Sequence, residues 1–179
     1  MTYEPNRFDY TYMAIAREIA GRLSYAERKK VAAIIVKNDS ILSFGFNGTP
    51  SGDENVCEDV GEFAACSCQM GRRDSVEPCS TAHRTKVVDG NRFCASLVTK
   101  PSVIHAEMNA INKMARSTES CFNADMYITL SPCYECAKSI HSCGIKRVFY
   151  GEEYRITDGI DFLRGKGVEV IYLQNDKGS

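Results

Sequence analysis

The sequence predicts an α/β chain of the three-layer αβα class. Helices should cover both faces of one five-stranded mixed sheet, and a cysteine-rich insertion should interrupt it. Three observations carry this. Apolar residues recur at helical spacing in several separate segments. Short runs rich in Val, Ile and Phe fall between them. The resulting order, α-β-β-α-β-α-β-α-β, calls for helices packed on both sides of a sheet.

Each element has its own signal. Over residues 9–24, Tyr12, Ile15, Ala16, Ile19, Ala20 and Leu23 form one apolar stripe, the first helix. Val31-Ala32-Ala33-Ile34-Ile35-Val36 is continuously apolar, as expected of a strand buried on both faces. Lys37-Asn38-Asp39-Ser40 is turn chemistry, and residues 41–46 complete a hairpin. From Thr49 to about Ser102 the periodicity fades and cysteines accumulate. Residues 104–115 read as a helix, 124–130 as a strand and 132–142 as a helix, with Pro132 suited to a first turn. Gly144 is a plausible stop for that helix. A strand at 146–150, a short helix near 157–164 and a last strand at 168–173 finish the chain.

Length and composition exclude several classes. With 179 residues, 44% hydrophobic and 25% charged, the chain has enough material for one ordinary globular domain. There is no internal repeat, low-complexity tract or linker, so residues 1–179 are expected to form a single domain with an insertion at about 53–102. A net charge of -1 and a pI near 6.3 argue against a broad nucleic-acid footprint. No apolar run reaches the roughly 18–20 residues that span a bilayer. The N-terminal residues show no secretory signal. Nine cysteines, an odd number, suit metal binding in a reducing compartment better than a disulfide framework. The expected location is cytoplasmic, the host cytoplasm if the chain is phage-encoded, with no nucleic-acid or membrane partner.

The most specific pattern is His105-Ala106-Glu107 followed, after 24 intervening residues, by Pro132-Cys133-Tyr134-Glu135-Cys136. His105, Cys133 and Cys136 offer one imidazole nitrogen and two thiolates. Three protein ligands on a tetrahedral zinc leave the fourth position open, which marks a catalytic site rather than a structural one. Cys133 and Cys136, at i and i+3, share a helix face, and the helix N-terminus favours their thiolates. Zinc lowers the pKa of water in the open position toward about 7. Glu107 is placed to take a proton from that water and return protons to a ring nitrogen and a leaving amine. H-x-E with P-C-x-x-C is the pattern of zinc-dependent nucleobase deaminases. The competing reading is a structural zinc knot with Glu107 merely solvated, but that leaves the H-A-E spacing unexplained.

The chain resembles the zinc-dependent cytidine deaminase superfamily, and within it the deoxycytidylate (dCMP) deaminases, including those of phages. Four segments carry the resemblance: Gly45-Phe46-Asn47-Gly48-Thr49-Pro50-Ser51-Gly52, Ile104-His105-Ala106-Glu107-Met108-Asn109-Ala110-Ile111, Tyr127-Ile128-Thr129-Leu130-Ser131-Pro132-Cys133 and Gly144-Ile145-Lys146-Arg147-Val148. It covers about residues 9–173. It implies hydrolytic deamination of dCMP to dUMP with release of ammonia, which supplies dUMP for dTTP synthesis. It also implies a catalytic zinc on His105, Cys133 and Cys136, with Glu107 as proton shuttle. Asn47 would hydrogen-bond the deoxyribose, although a turn asparagine is the alternative. Ala106 and Ser131 would act through backbone groups on the base carbonyl and leaving amine. Tyr154 is the candidate beside sugar and phosphate, with a surface tyrosine as the alternative. Arg28 or Lys30 could supply the cation a monophosphate needs, or could be solvated charges. Such enzymes are commonly hexamers activated by dCTP, with Mg²⁺ on the triphosphate, and inhibited by dTTP. The effector loop would include Gly48, Thr49, Ser51 and Gly52, residues that a plain turn would also use.

A second metal site is expected in the insertion. Cys79 and His83 stand at i and i+4, one face of a helical turn. Cys57 and one of Cys66 and Cys68 would complete a structural zinc site, for which the resemblance offers a parallel in phage and bacterial relatives. Those relatives carry a cysteine where Ala26 stands. Cys121 and Cys143 read as small buried residues. The alternatives to a dCMP enzyme are a tRNA- or DNA-editing deaminase, a free-cytidine deaminase and, outside enzymes, a zinc-ribbon interaction module.

Overall fold

The computed structural model describes residues 3–65 and 83–174. Among these, the chain forms two compact units. One comprises Met1–Ser24, Val31–Asn47 and Ile104–Ser179; the other comprises Tyr25–Lys30 and Gly48–Val103.

The first unit is the expected mixed sheet with helices. Helix α1 (Arg7–Leu23) begins at a capping box, in which the Asn6 side chain accepts from Phe8 N–H and Asp9 accepts from Asn6 N–H. Strands β1 (Ala32–Lys37) and β2 (Ser40–Phe46) form a hairpin. Its turn residues Asn38 and Asp39 both have positive φ, the backbone of a type I′ turn. After the insertion come α2 (Ala106–Met114), β7 (Asp125–Ile128), α3 (Tyr134–Ser142), β8 (Arg147–Tyr150), α4 (Asp158–Gly165) and β9 (Glu169–Tyr172). The five-stranded sheet has the order β2-β1-β7-β8-β9. β1 pairs antiparallel with both neighbours, whereas β7, β8 and β9 run parallel.

Strand alternation sorts the core into two layers. Ala33, Ile35, Met126, Ile128 and Val148 face Ala106, Ala110, Met114, Ala137, Ile140 and Leu163 of α2, α3 and α4. Ile34, Val36, Tyr127 and Phe149 face Met13 and Ala16 of α1. β1 is buried on both faces, as its unbroken apolar run requires. Asp9 is buried in the α1 layer and accepts from Tyr3 Oη, Asn6 N–H and Tyr127 Oη at 2.9, 2.7 and 2.6 Å. Burial and the Asp9 hydrogen bond push the Tyr3 hydroxyl up to about 12 and keep Tyr127 un-ionised.

Helix α2 lies directly on β2. A Cβ on Gly45 would sit 2.2 Å from Ala106 O and 2.4 Å from Ala110 N, both backbone atoms that cannot swing aside. Ser43 Oγ donates to Ala110 O and Asn109 Nδ2 to Phe46 O, fixing the helix along the strand. Gly45→Val should therefore exceed the usual overpacking cost of about 1–3 kcal/mol. Denaturant melts should show a lowered midpoint; stability within about 0.5 kcal/mol of the parent, the ordinary range for an uncritical surface change, would refute this close packing.

The second unit departs from the expected irregular insertion. It contains an antiparallel sheet in which β6 (Asn91–Thr99) pairs with β3 (Glu58–Val60), β4 (Ala64–Ala65) and β5 (His83–Val88). The β5–β6 hairpin turns at Asp89-Gly90, φ 50° and 77°. An Asp-Gly pair is a strong signal for a two-residue hairpin turn. Glu58 is buried and accepts from the backbone N–H groups of Glu27 and Arg28, both at 3.2 Å, binding the 25–30 segment to this unit. Pro50 O accepts from Asp53 N–H, closing a turn whose Gly52 has φ 101°, left-handed backbone that favours glycine.

Candidate active site

Two helix N-termini meet at the site. His105 is the N-cap of α2 and Cys133 the N-cap of α3; both have extended backbone, and neither side chain makes a capping hydrogen bond. A Ser, Thr, Asp or Asn at such a position contributes about 1 kcal/mol, so both helices forgo that stabilisation. Their side chains turn instead to one point: His105 Nδ1 lies 3.5 Å from Cys133 Sγ and 3.4 Å from Cys136 Sγ. Zn–S and Zn–N bonds of about 2.3 and 2.0–2.1 Å at a tetrahedral angle give an N···S edge of about 3.5 Å. The donor set therefore fits zinc in type and spacing. Among the described residues it is the one group of three or more His, Cys, Asp or Glu side chains close enough to share an ion.

Pro132 precedes the N-cap rather than occupying the first turn of α3, which starts at Tyr134. Cys136 thus falls in the first turn and is buried, Cys133 is half-buried and His105 is exposed, leaving the set open on the histidine side. Hydrogen bonds from Cys136 and His105 hold the Cys133 thiol far below its usual range, at about 4, while the same shared proton holds Cys136 up. A divalent cation replaces that proton and makes both sulfurs thiolates. The two positive helix ends favour the same charge state.

Glu107 lies one residue inside α2 and is buried at 4% exposure. Burial pushes its carboxyl up to about 7, opposed by His105 and by a hydrogen bond from Cys136. A carboxyl near 7 gives and takes protons readily at neutral pH. Beside a three-donor metal set, it is the expected proton carrier.

The other first-unit candidates have definite positions and hydrogen-bond partners. Ala106 presents the first N–H of α2, and such N–H groups have no intrahelical partner. Ser131 N–H donates to Glu152 O at 2.8 Å, so the Ser131 backbone can serve a ligand only through its carbonyl. Its hydroxyl accepts from Tyr154 N–H at 2.7 Å, which joins two residues that the sequence had suggested separately. Asn47 Oδ1 accepts from Val31 N–H and Ser24 Oγ at 2.8 and 2.6 Å. The Asn47 carbonyl oxygen is thus engaged within the first unit.

Arg28, Lys30, Gly48, Thr49, Ser51 and Gly52 belong to the second unit. Arg28, Lys30, Ser51 and Gly52 are exposed, Gly48 is buried, and Thr49 is half-buried with its Oγ1 donating to Glu54 O. Cys57 is buried there, and burial raises its thiol. Cys66, Cys68 and Cys79 lie outside the described residues. His83 opens strand β5 and pairs with Ser96; the rest of the expected helical turn, from Cys79, lies outside the described residues. Cys121 is buried and Cys143 half-buried, and their thiols hydrogen-bond each other, as small core residues can. No helix among the described residues is long and apolar enough to cross a membrane.

The family model for the cytidine and deoxycytidylate deaminase zinc-binding region matches residues 6–152. The chain belongs to that family. It is 36% identical to the deoxycytidylate deaminase of Enterobacteria phage T4 over 150 residues, 79% of this chain and 78% of that one. It is 33% identical to the human deoxycytidylate deaminase over 150 residues, 82% of this chain and 66% of that one. The dCMP deaminase of cyanophage S-TIM5, solved in complex with dCMP and dUMP, superposes with a TM-score of 0.70 at 38% identity, covering 96% of this chain and all of that one.

Proposed function

We propose that this protein hydrolyses dCMP to dUMP and ammonia with zinc held by His105, Cys133 and Cys136. The observation that carries the chemistry is a buried Glu107 set beside a three-donor cluster of zinc geometry. The substrate rests on the phage and human relatives and on the nucleotide-bound cyanophage structure. A zinc ion there supplies a Lewis acid that makes water nucleophilic near neutral pH. Glu107 takes a proton from the attacking water and passes it to the ring nitrogen. It then moves the second proton to the exocyclic amine, which leaves as ammonia. The Ser131 carbonyl accepts from that amine, the Ala106 N–H donates to the base carbonyl, and Asn47 hydrogen-bonds the sugar. Tyr154 is held beside Ser131 by its own N–H.

Regulation belongs to the same reading: activation by dCTP with Mg²⁺, inhibition by dTTP and a hexameric assembly. Its support is the resemblance of residues 45–52 to dCMP deaminases. The product would serve dTTP synthesis, in the host cytoplasm if a phage encodes the chain. A single deaminase domain over residues 1–179, with a second, structural zinc in the insertion, completes the proposal.

Loss of cytosine absorbance should be followed for dCMP, dCTP and cytidine, each with dCTP–Mg²⁺ or dTTP added. We expect dCMP to be preferred over cytidine by at least about 10²-fold in kcat/KM, the size of two good charge-assisted phosphate contacts. Equal turnover of cytidine would overturn the nucleotide-level assignment. Rates indifferent to both triphosphates would overturn regulation alone.

A further inference from the structure

Cys133 stands on a turn outside regular structure, yet its Sγ must be held to a fraction of an ångström for metal binding. The segment that follows β8 holds this turn at three points. Ser131 N–H donates to Glu152 O at 2.8 Å, and Ser131 Oγ accepts from Tyr154 N–H at 2.7 Å. The third point is steric: at Gly159, in the first turn of α4, a Cβ would stand 2.2 Å from Pro132 O and 2.9 Å from both C and O of Cys133. Gly159 is buried and lies in regular helix, outside the left-handed region, so its backbone conformation does not call for glycine. Alanine would in fact favour the helix by about 1 kcal/mol. Only the close approach of the Pro132–Cys133 peptide explains a glycine here. Pro132 cannot yield by rotating a side chain, because the atoms in question are backbone.

We infer that Gly159 is a positioning residue for the metal centre: by letting α4 press on the Pro132–Cys133 peptide, it sets where the Cys133 thiolate meets His105 and Cys136. The inference rests on the assignment of zinc to those three side chains. Metal-site support of this kind is worth about 10–100-fold in metal affinity.

The test is titration of zinc-free protein with cobalt(II), reading the sulfur-to-cobalt charge-transfer and tetrahedral d–d bands. Zinc affinity is then measured by competition, with Cys133→Ala as the blank for metal held elsewhere. Gly159→Ala should bind zinc about 10–100-fold more weakly and show a shifted cobalt spectrum, while its zinc-free form still folds cooperatively with a lowered melting temperature. Gly165→Ala is the control, since a Cβ there meets nothing within 4 Å in the same helix. It should leave both spectrum and affinity unchanged. Parental affinity and spectrum in Gly159→Ala would overturn the inference, and so would a Gly159→Ala protein that does not fold, because the glycine would then serve the fold and not this turn. If the parent protein itself shows no thiolate–cobalt bands above the blank, the zinc assignment fails instead.

Discussion

Glu107→Gln should keep its zinc and lose about 10²–10⁴-fold in dCMP turnover, the contribution of a positioned proton carrier. Glutamine matches the shape of the buried side chain and can still accept the Cys136 hydrogen bond, but it cannot carry a proton, and His105, Cys133 and Cys136 are all retained. The same substitution should stabilise the zinc-free protein at pH 8. Burial raises the Glu107 carboxyl in the folded state to about 7, above its value in an unfolded chain. The folded state therefore binds more protons than the unfolded state across that interval, so stability falls as pH rises from the ordinary carboxylate range to about 7. Glutamine removes that loss. Thermal melts at pH 5 and 8 should show a higher melting temperature than the parent at pH 8 and a smaller difference at pH 5. Full activity in Glu107→Gln, or loss of zinc with it, would remove Glu107 from its role.

The second large effect is expected at Cys136→Ala. Cys136 is 2% exposed in the first turn of α3, with its Sγ 3.4 Å from His105 Nδ1. Removing it deletes one donor of the proposed zinc set and leaves a gap at a buried position. Ligand linkage gives the parent about 2.7–4.1 kcal/mol of added stability when free zinc is 100–1,000 times Kd. That zinc-dependent gain in melting temperature should be missing in Cys136→Ala, and turnover should fall to the level of chelated parent protein. Zinc held in the insertion adds equally to both proteins, so the difference between them isolates this site. An undiminished zinc response in Cys136→Ala would show that Cys136 is not a ligand.

The chemistry was legible in the sequence because metal ligation restricts residue type and local spacing. H-A-E and P-C-x-x-C are each short local patterns, so their residue types could be read directly, although His105 and Cys133 are extended N-cap residues whose placement helix periodicity alone does not give. Val31 to Val36 was legible for a similar reason: a strand covered on both faces has little choice but to be apolar throughout. Long-range backbone contacts leave no such trace. Gly45 and Gly159 matter because of atoms that come from elsewhere in the chain, Ala106 and Ala110 in one case and Pro132 and Cys133 in the other. Asn47 could be suspected as a sugar ligand, but its orientation depends on Ser24 and Val31, which take up its carbonyl oxygen. The insertion was hard to read for a different reason. Its strands expose much of their surface, including Val60, Val87, Val88 and Val98, so apolar alternation is weak, and only the Asp89-Gly90 turn marks the hairpin.

The most direct test of the account is dCMP turnover as zinc is removed and restored. Purified protein should be stripped with a chelator, assayed for ammonia released from dCMP, and titrated back with zinc. Activity should vanish with the metal and return as zinc refills the His105–Cys133–Cys136 set, with no recovery in Cys136→Ala. A stripped protein that still deaminates dCMP at the parent rate would contradict it.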